Sequence, residues 1–116
     1  VGSEKNLLAL QIRTLCEHLG GQYTESGTYP AWEYKQESKL RDVMVAIYEE
    51  LYGGKPKLDV IHAGVECGLF MDKMKDLDCV SYGPQMYDIH TPNERLHVDS
   101  VQRTWEYTLE ILKRLK

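Results

Sequence analysis

An α/β fold is what the sequence predicts, on three observations. Long segments carry apolar residues at helical spacing, short apolar runs of strand length lie between them, and glycine or proline marks nearly every junction. The 116 residues suffice for one ordinary domain and not for two well-cored ones.

The first helix is expected over about Glu4 to His18, where Leu8, Ile12, Leu15 and Leu19 recur at steps of four, three and four. Ser3 is placed to cap it, and Gly20-Gly21 to stop it in a left-handed turn. Aromatic and β-branched residues then predict a strand near Gln22 to Ser26 that leaves its sheet at Tyr29-Pro30. A second helix spans about Ser38 to Tyr52, with Leu40, Val43, Met44, Ile47 and Leu51 as its stripe and Gly53-Gly54 after it. Leu58 to His62 and Cys79 to Tyr82 read as buried strands. Between them Val65 to about Met74 reads as a short helix with Val65, Leu69 and Phe70 inward. If both strands share a sheet, the crossover is right-handed and the pair parallel. From Gly83 to Arg95 no periodicity appears, and a long loop is expected. The closing helix begins after Asp99 as cap, with Val101, Trp105, Thr108, Leu109 and Leu112 as its inner face.

Fourteen Lys+Arg against eighteen Asp+Glu give a formal charge of -4, so there is no basic field to gather phosphate backbones or anionic lipid. Nucleic acid and membrane are therefore not expected partners. Hydrophobic residues at 42% with 28% charged is globular composition, and the apolar bursts are far shorter than a bilayer crossing. Cys16, Cys67 and Cys79 make an odd set without close pairing, which fits a reducing cytoplasm better than a disulfide framework or a cysteine zinc site. The sequence opens on Val1 and enters a helix almost at once, so it reads as cut from something longer.

Two segments place ionisable groups just beyond predicted strands, where open α/β sheets put their sites. In His62-Ala63-Gly64-Val65-Glu66-Cys67-Gly68 the small residues let backbone approach a ligand closely, and His62 and Glu66 can face a crevice. The same residues also describe a plain strand-to-helix turn with a carboxylate at the helix start, and spacing alone favours that description. The second segment runs from Asp88 to His97. There His90, in a loop stiffened by Pro92, has the character of a metal ligand, with Asp88 or Glu94 available to orient it. A solvated loop histidine is the alternative. His97, in alternation with Leu96 and Val98, reads as structural. A hydrolytic zinc site needs at least three protein donors, and His62, Glu66 and His90 match no compact zinc motif. No nucleophile elbow, P-loop or dinucleotide fingerprint is present.

The runs Val60 to Phe70, Val80-Ser81-Tyr82-Gly83-Pro84 and His90 to Val101 closely resemble the C-terminal part of aminoacyl-histidine (Xaa-His) dipeptidases. These belong to the di-zinc exopeptidases that include the carnosinases and peptidase T. Tyr29-Pro30-Ala31-Trp32 resembles the segment where that family's lid returns to its catalytic domain, with Ala31 in place of the usual glycine. The resemblance covers nearly the whole chain in the family's order. It implies the second half of a zinc-exopeptidase catalytic domain, a sheet with flanking helices over residues 31–116, preceded by the last helix and strand of the lid over residues 1–30. It implies that His90 is the family's last zinc-binding histidine, one ligand of a site holding two zinc ions. It places Gly64 and Glu66 on a loop bordering the substrate cleft, Glu66 where relatives carry an aspartate.

The family's remaining ligands, its proton-shuttling glutamate and its oxyanion-stabilising lid histidine match nothing in this sequence, so no catalytic residue is assigned. The implied partners are the missing N-terminal half of the same enzyme and a dipeptide substrate. The implied setting is cytoplasmic, and the chain by itself is expected to be an inactive fragment of a metallo-dipeptidase. The alternative is a non-catalytic binding or assembly module that kept the fold, with a homo-oligomer covering its apolar surface.

Overall fold

The computed structural model describes residues 2–60 and 66–116. They form helix α1 (Gly2–His18), helix α2 (Lys39–Tyr52), helix α3 (Glu66–Lys73), strands β1 (Met86–Tyr87) and β2 (Arg95–Leu96), and helix α4 (Val98–Arg114). The chain divides into two compact units, one of Val1–Gln36 with Val60–Leu77 and the other of Glu37–Asp59 with Asp78–Lys116.

In the first unit α1 forms where the leucine periodicity predicts, and it ends as expected. Gly20 takes a φ of 80°, a left-handed turn that glycine enters without steric cost, and the Gly21 amide donates back to the Cys16 carbonyl. Ser3 lies inside the first turn and does not cap it. The Gly2 amide instead donates to Glu33 Oε1 at 3.0 Å, which puts a carboxylate at the positive end of the helix. The predicted stripe is not buried: Leu8, Ile12, Leu15 and Leu19 are all at least half exposed. The strand expected at residues 22–26 is also absent, and these residues are irregular, with no ladder among the described residues to hold them. Propensity alone cannot hold a strand that has no neighbour.

Helix α3 brings its backbone against the Tyr29-to-Trp32 segment. At Gly68 an added Cβ would sit 3.0 Å from the Pro30 carbonyl oxygen and 3.4 Å from Trp32 Cβ. Leu69 and Phe70, expected inward, are substantially exposed, because the contact face of α3 is the one that carries Gly68. Val65 lies outside the described residues. Gly68→Ala should therefore cost about 1–3 kcal/mol through overpacking against a main chain that cannot rotate away. Thermal denaturation checks this, and a substitution without effect would show that α3 stands further from Pro30.

The second unit is built on α2 and α4. Ser38 caps α2, its Oγ accepting from the Arg41 amide at 3.0 Å while donating to Asp78 Oδ1 at 2.7 Å. Asp78 Oδ2 also accepts from the Leu40 amide, so one carboxylate ties the start of α2 to the distant segment at 78. Met44 and Ile47 of α2 meet Tyr107 and Ile111 of α4 in the core, with Leu40, Val43, Tyr48 and Val80 packed around them. The face of α4 is thus offset one residue from the expected one, about 100° around the helix. Val101, Trp105, Leu109 and Leu112 remain exposed.

Tyr107 decides that rotation. Its hydroxyl donates to the Met44 carbonyl at 2.7 Å, and its ring meets Tyr48 and Tyr82 edge-on. A phenol that finds a buried acceptor and aromatic neighbours outcompetes an aliphatic stripe. At the far end Arg114 pairs with the Glu50 carboxylate through two nitrogens, which holds the Glu50 carboxyl below its ordinary range.

Burial, with smaller contributions from the neighbouring tyrosines, pushes the Tyr107 phenol from 10.0 up to about 12. The folded state therefore keeps that proton after the unfolded chain has lost it. Stability from this group is full below pH 10.0 and falls as the pH rises toward about 12. Melting temperatures followed across that interval should decline. Tyr107→Phe should be less stable at neutral pH yet show a shallower decline, and equal slopes would contradict the assignment.

Asp99 does not cap α4. His97 occupies the cap position without a side-chain bond, and Ser100, buried, accepts from the Gln85 amide at 2.8 Å and donates to the His97 carbonyl. The parallel pair expected from residues 58–62 and 79–82 does not appear among the described residues, and residues 61 and 62 lie outside them. Residues 79–82 are in no ladder among the described residues, although Val80 and Tyr82 lie against the helix pair. The ladder that the described residues do form is antiparallel, Met86 opposite Leu96 and Tyr87 opposite Arg95, inside what was expected to be an unbroken loop. The result is a partial α/β arrangement, helices with a small two-stranded sheet.

Candidate functional site

The β1–β2 hairpin positions the histidine that the sequence singles out. Asp88, with φ 51°, and His90, with φ 64°, both take the left-handed conformation without being glycine. Aspartate and histidine are among the residues that tolerate this region best, yet each departure costs about 1–2 kcal/mol and needs surrounding bonds to persist. Those bonds are present. Arg95 pairs with Asp88 Oδ2 at 2.9 Å across the base of the loop, with its guanidinium 5.4 Å from the centre of the Tyr87 ring. Thr91 donates through both its amide and its hydroxyl to the Asp88 carbonyl, and the Glu94 amide donates to the Thr91 carbonyl. Glu94 Oε2 accepts from the His90 amide at 2.8 Å.

The outcome is a cross-tied turn whose tip carries an exposed imidazole. A neutral imidazole in that position is a good donor for one place around a metal ion. It is not a site by itself, since no group of three His, Cys, Asp or Glu side chains able to hold a metal occurs among the described residues. His90 by itself offers one donor, and no cluster of further donors stands with it among the described residues. His97 is half-buried, and its Nδ1 is buried without a hydrogen-bond partner among the described residues, in keeping with a structural place at the start of α4.

Glu66 is the first residue of α3 and is exposed, where a carboxylate favours the helix start. Gly64 and His62 lie outside the described residues. Glu66 and His90 fall in different units, each with its own surroundings. The sequence reading missed a groove of about 690 Å³ in the second unit, lined by Tyr48, Tyr52, Tyr82 and Tyr107 with Arg41 and Arg103. The i,i+4 spacing of Tyr48 and Tyr52 was the available signal.

Along essentially its whole length the chain is homologous to part of two dipeptidases. The cytosol non-specific dipeptidase of Escherichia coli K12 is 31% identical over 115 residues, which is 99% of this chain and 24% of that protein. The crystal structure of the aminoacylhistidine dipeptidase from Vibrio alginolyticus matches with a TM-score of 0.80 and 34% identity, over 98% of this chain and 23% of that one. The chain spans about a quarter of the length of these relatives. No protein-family model matches it.

Proposed function

We propose that the chain is the C-terminal part of a zinc-dependent dipeptidase that hydrolyses dipeptides ending in histidine. Residues 1–30 are then the end of the lid and residues 31–116 the second half of the catalytic domain. His90 supplies one metal donor, Gly64 and Glu66 border the substrate cleft, and residues elsewhere in the enzyme complete the site. The zinc, when bound, would supply Lewis-acid polarisation of the scissile carbonyl.

The observation that carries this reading is the His90 turn: an imidazole held outward in a strained, cross-tied loop, on a chain homologous to dipeptidases, with no completing donors among the described residues. The exposed apolar residues of α1 and α4 support it, since a chain covering about a quarter of its relatives leaves surfaces for the remainder to cover. A cytosolic setting agrees with the name of the Escherichia coli relative and with three cysteines that stand outside any disulfide. Among the described residues no helix is long and apolar enough to cross a membrane.

The test is an assay on Xaa-His dipeptides with zinc present. The 116-residue chain alone should show no turnover, and the full-length dipeptidase should show it. Zinc-dependent hydrolysis by the short chain would overturn the reading. A full-length product with no hydrolysis would favour a binding or assembly module, with a second copy covering the apolar faces.

A further inference from the structure

We infer that Glu94 is the positioning residue for His90, acting through the main chain and not through the imidazole; this rests on the reading of His90 as a metal ligand. The carboxylate reaches back four residues to take the His90 amide at 2.8 Å, a bond made to the main chain of the residue whose φ is 64°. In the left-handed region the Cα–Cβ bond points where neither extended nor right-handed backbone would send it. Releasing the amide lets φ relax to negative values and swings the imidazole off its line.

The other ties do not substitute for this one. Arg95 bonds at Asp88, and the Thr91 amide and hydroxyl both donate to the Asp88 carbonyl; that turn bond encloses Ile89 and His90 but is common to type I and type II turns, so it leaves the sign of φ at His90 open. The Glu94 amide donates to the Thr91 carbonyl, which sets the carboxylate facing back toward residue 90. Glu94 thereby couples the far end of the Pro92 segment to the residue that carries the imidazole. Holding a donor in its bound geometry before the ion arrives raises affinity by removing the ordering cost. Residues that orient a ligand in this way typically govern tenfold or more in metal affinity.

Two measurements test this. In the isotopically labelled 116-residue chain, nuclear magnetic resonance reads the His90 backbone shifts and amide exchange. Glu94→Ala should erase the left-handed signature and speed exchange of that amide about tenfold or more. Glu94→Gln, which keeps an acceptor oxygen, should stay close to the parent chain. In the full-length dipeptidase, Glu94→Ala should weaken zinc binding about tenfold with an unchanged melting temperature, and Glu94→Gln should restore it. An unaltered His90 amide in Glu94→Ala overturns the clamp, and a released amide with undiminished zinc affinity overturns its positioning role. If His90→Ala itself leaves zinc affinity intact, the ligand reading fails while the amide result still stands or falls separately.

Discussion

His90→Ala in the full-length dipeptidase is expected to lower zinc affinity by on the order of a hundredfold or more and to remove most of the turnover. The imidazole is exposed at the tip of a turn and packs into no core, so its loss removes a donor without opening a cavity. The melting temperature of the 116-residue chain should therefore hardly change. His97→Ala is the matched control. That ring is half-buried at the start of α4 with an unpartnered Nδ1, and its removal should leave zinc content as it was. Zinc per chain by elemental analysis, together with dipeptide turnover, reads both variants. A His90→Ala enzyme with full zinc and full turnover would remove the turn from the site.

The largest effect on stability is expected from Ile47→Ala. Ile47 is fully buried, and among the described residues it shares the apolar core with only Met44, Tyr107 and Ile111. Truncating such a side chain costs about 2–5 kcal/mol, from lost transfer energy and from the cavity left behind. Domains of this size hold only about 5–15 kcal/mol in total, and a core of four residues has little capacity to close over the gap. Unfolding by urea, followed by circular dichroism, should show a much lower midpoint for the second unit. Leu8→Ala, at a site 57% exposed, should shift it little. Similar small shifts for both variants would mean that the α2–α4 contact is not the main source of cohesion.

The helices were legible in the sequence because their signals are local. Leucine spacing and Gly20 and Gly53 as left-handed stops act within a turn or two of the residue concerned, whereas of the caps only Ser38 forms one, and Ser3 and Asp99, which were expected to, do not. The strands were not, because a strand exists only with a partner. Residues 22–26 and 79–82 carry strand composition and stay outside any ladder among the described residues, while Met86–Tyr87, with no alternation to announce them, pair with Arg95–Leu96 across residues 88–94. The face of α4 was misjudged for a related reason. Helical spacing of apolar residues picks out the face of Val101, Trp105, Thr108, Leu109 and Leu112, whereas burial follows Tyr107, whose hydroxyl needs an acceptor on another helix.

The histidine turn was legible as chemistry and not as geometry. Pro92 and the flanking carboxylates mark a stiff loop near His90, but nothing in their order shows that Arg95 ties down Asp88 while Glu94 holds the His90 amide. These ties depend on the left-handed φ values of Asp88 and His90, which no composition rule announces for residues other than glycine. The homology to dipeptidases agrees with the family resemblance of the linear motifs, at the level of the class of enzyme.

Zinc binding to the 116-residue chain alone, by equilibrium dialysis, tests most directly whether the chain brings one donor to a site finished by other residues. A single imidazole should bind no tighter than about the millimolar range, and His90→Ala should weaken even that. One zinc per chain held at micromolar concentration or below would contradict the account, because the chain would then own a complete site.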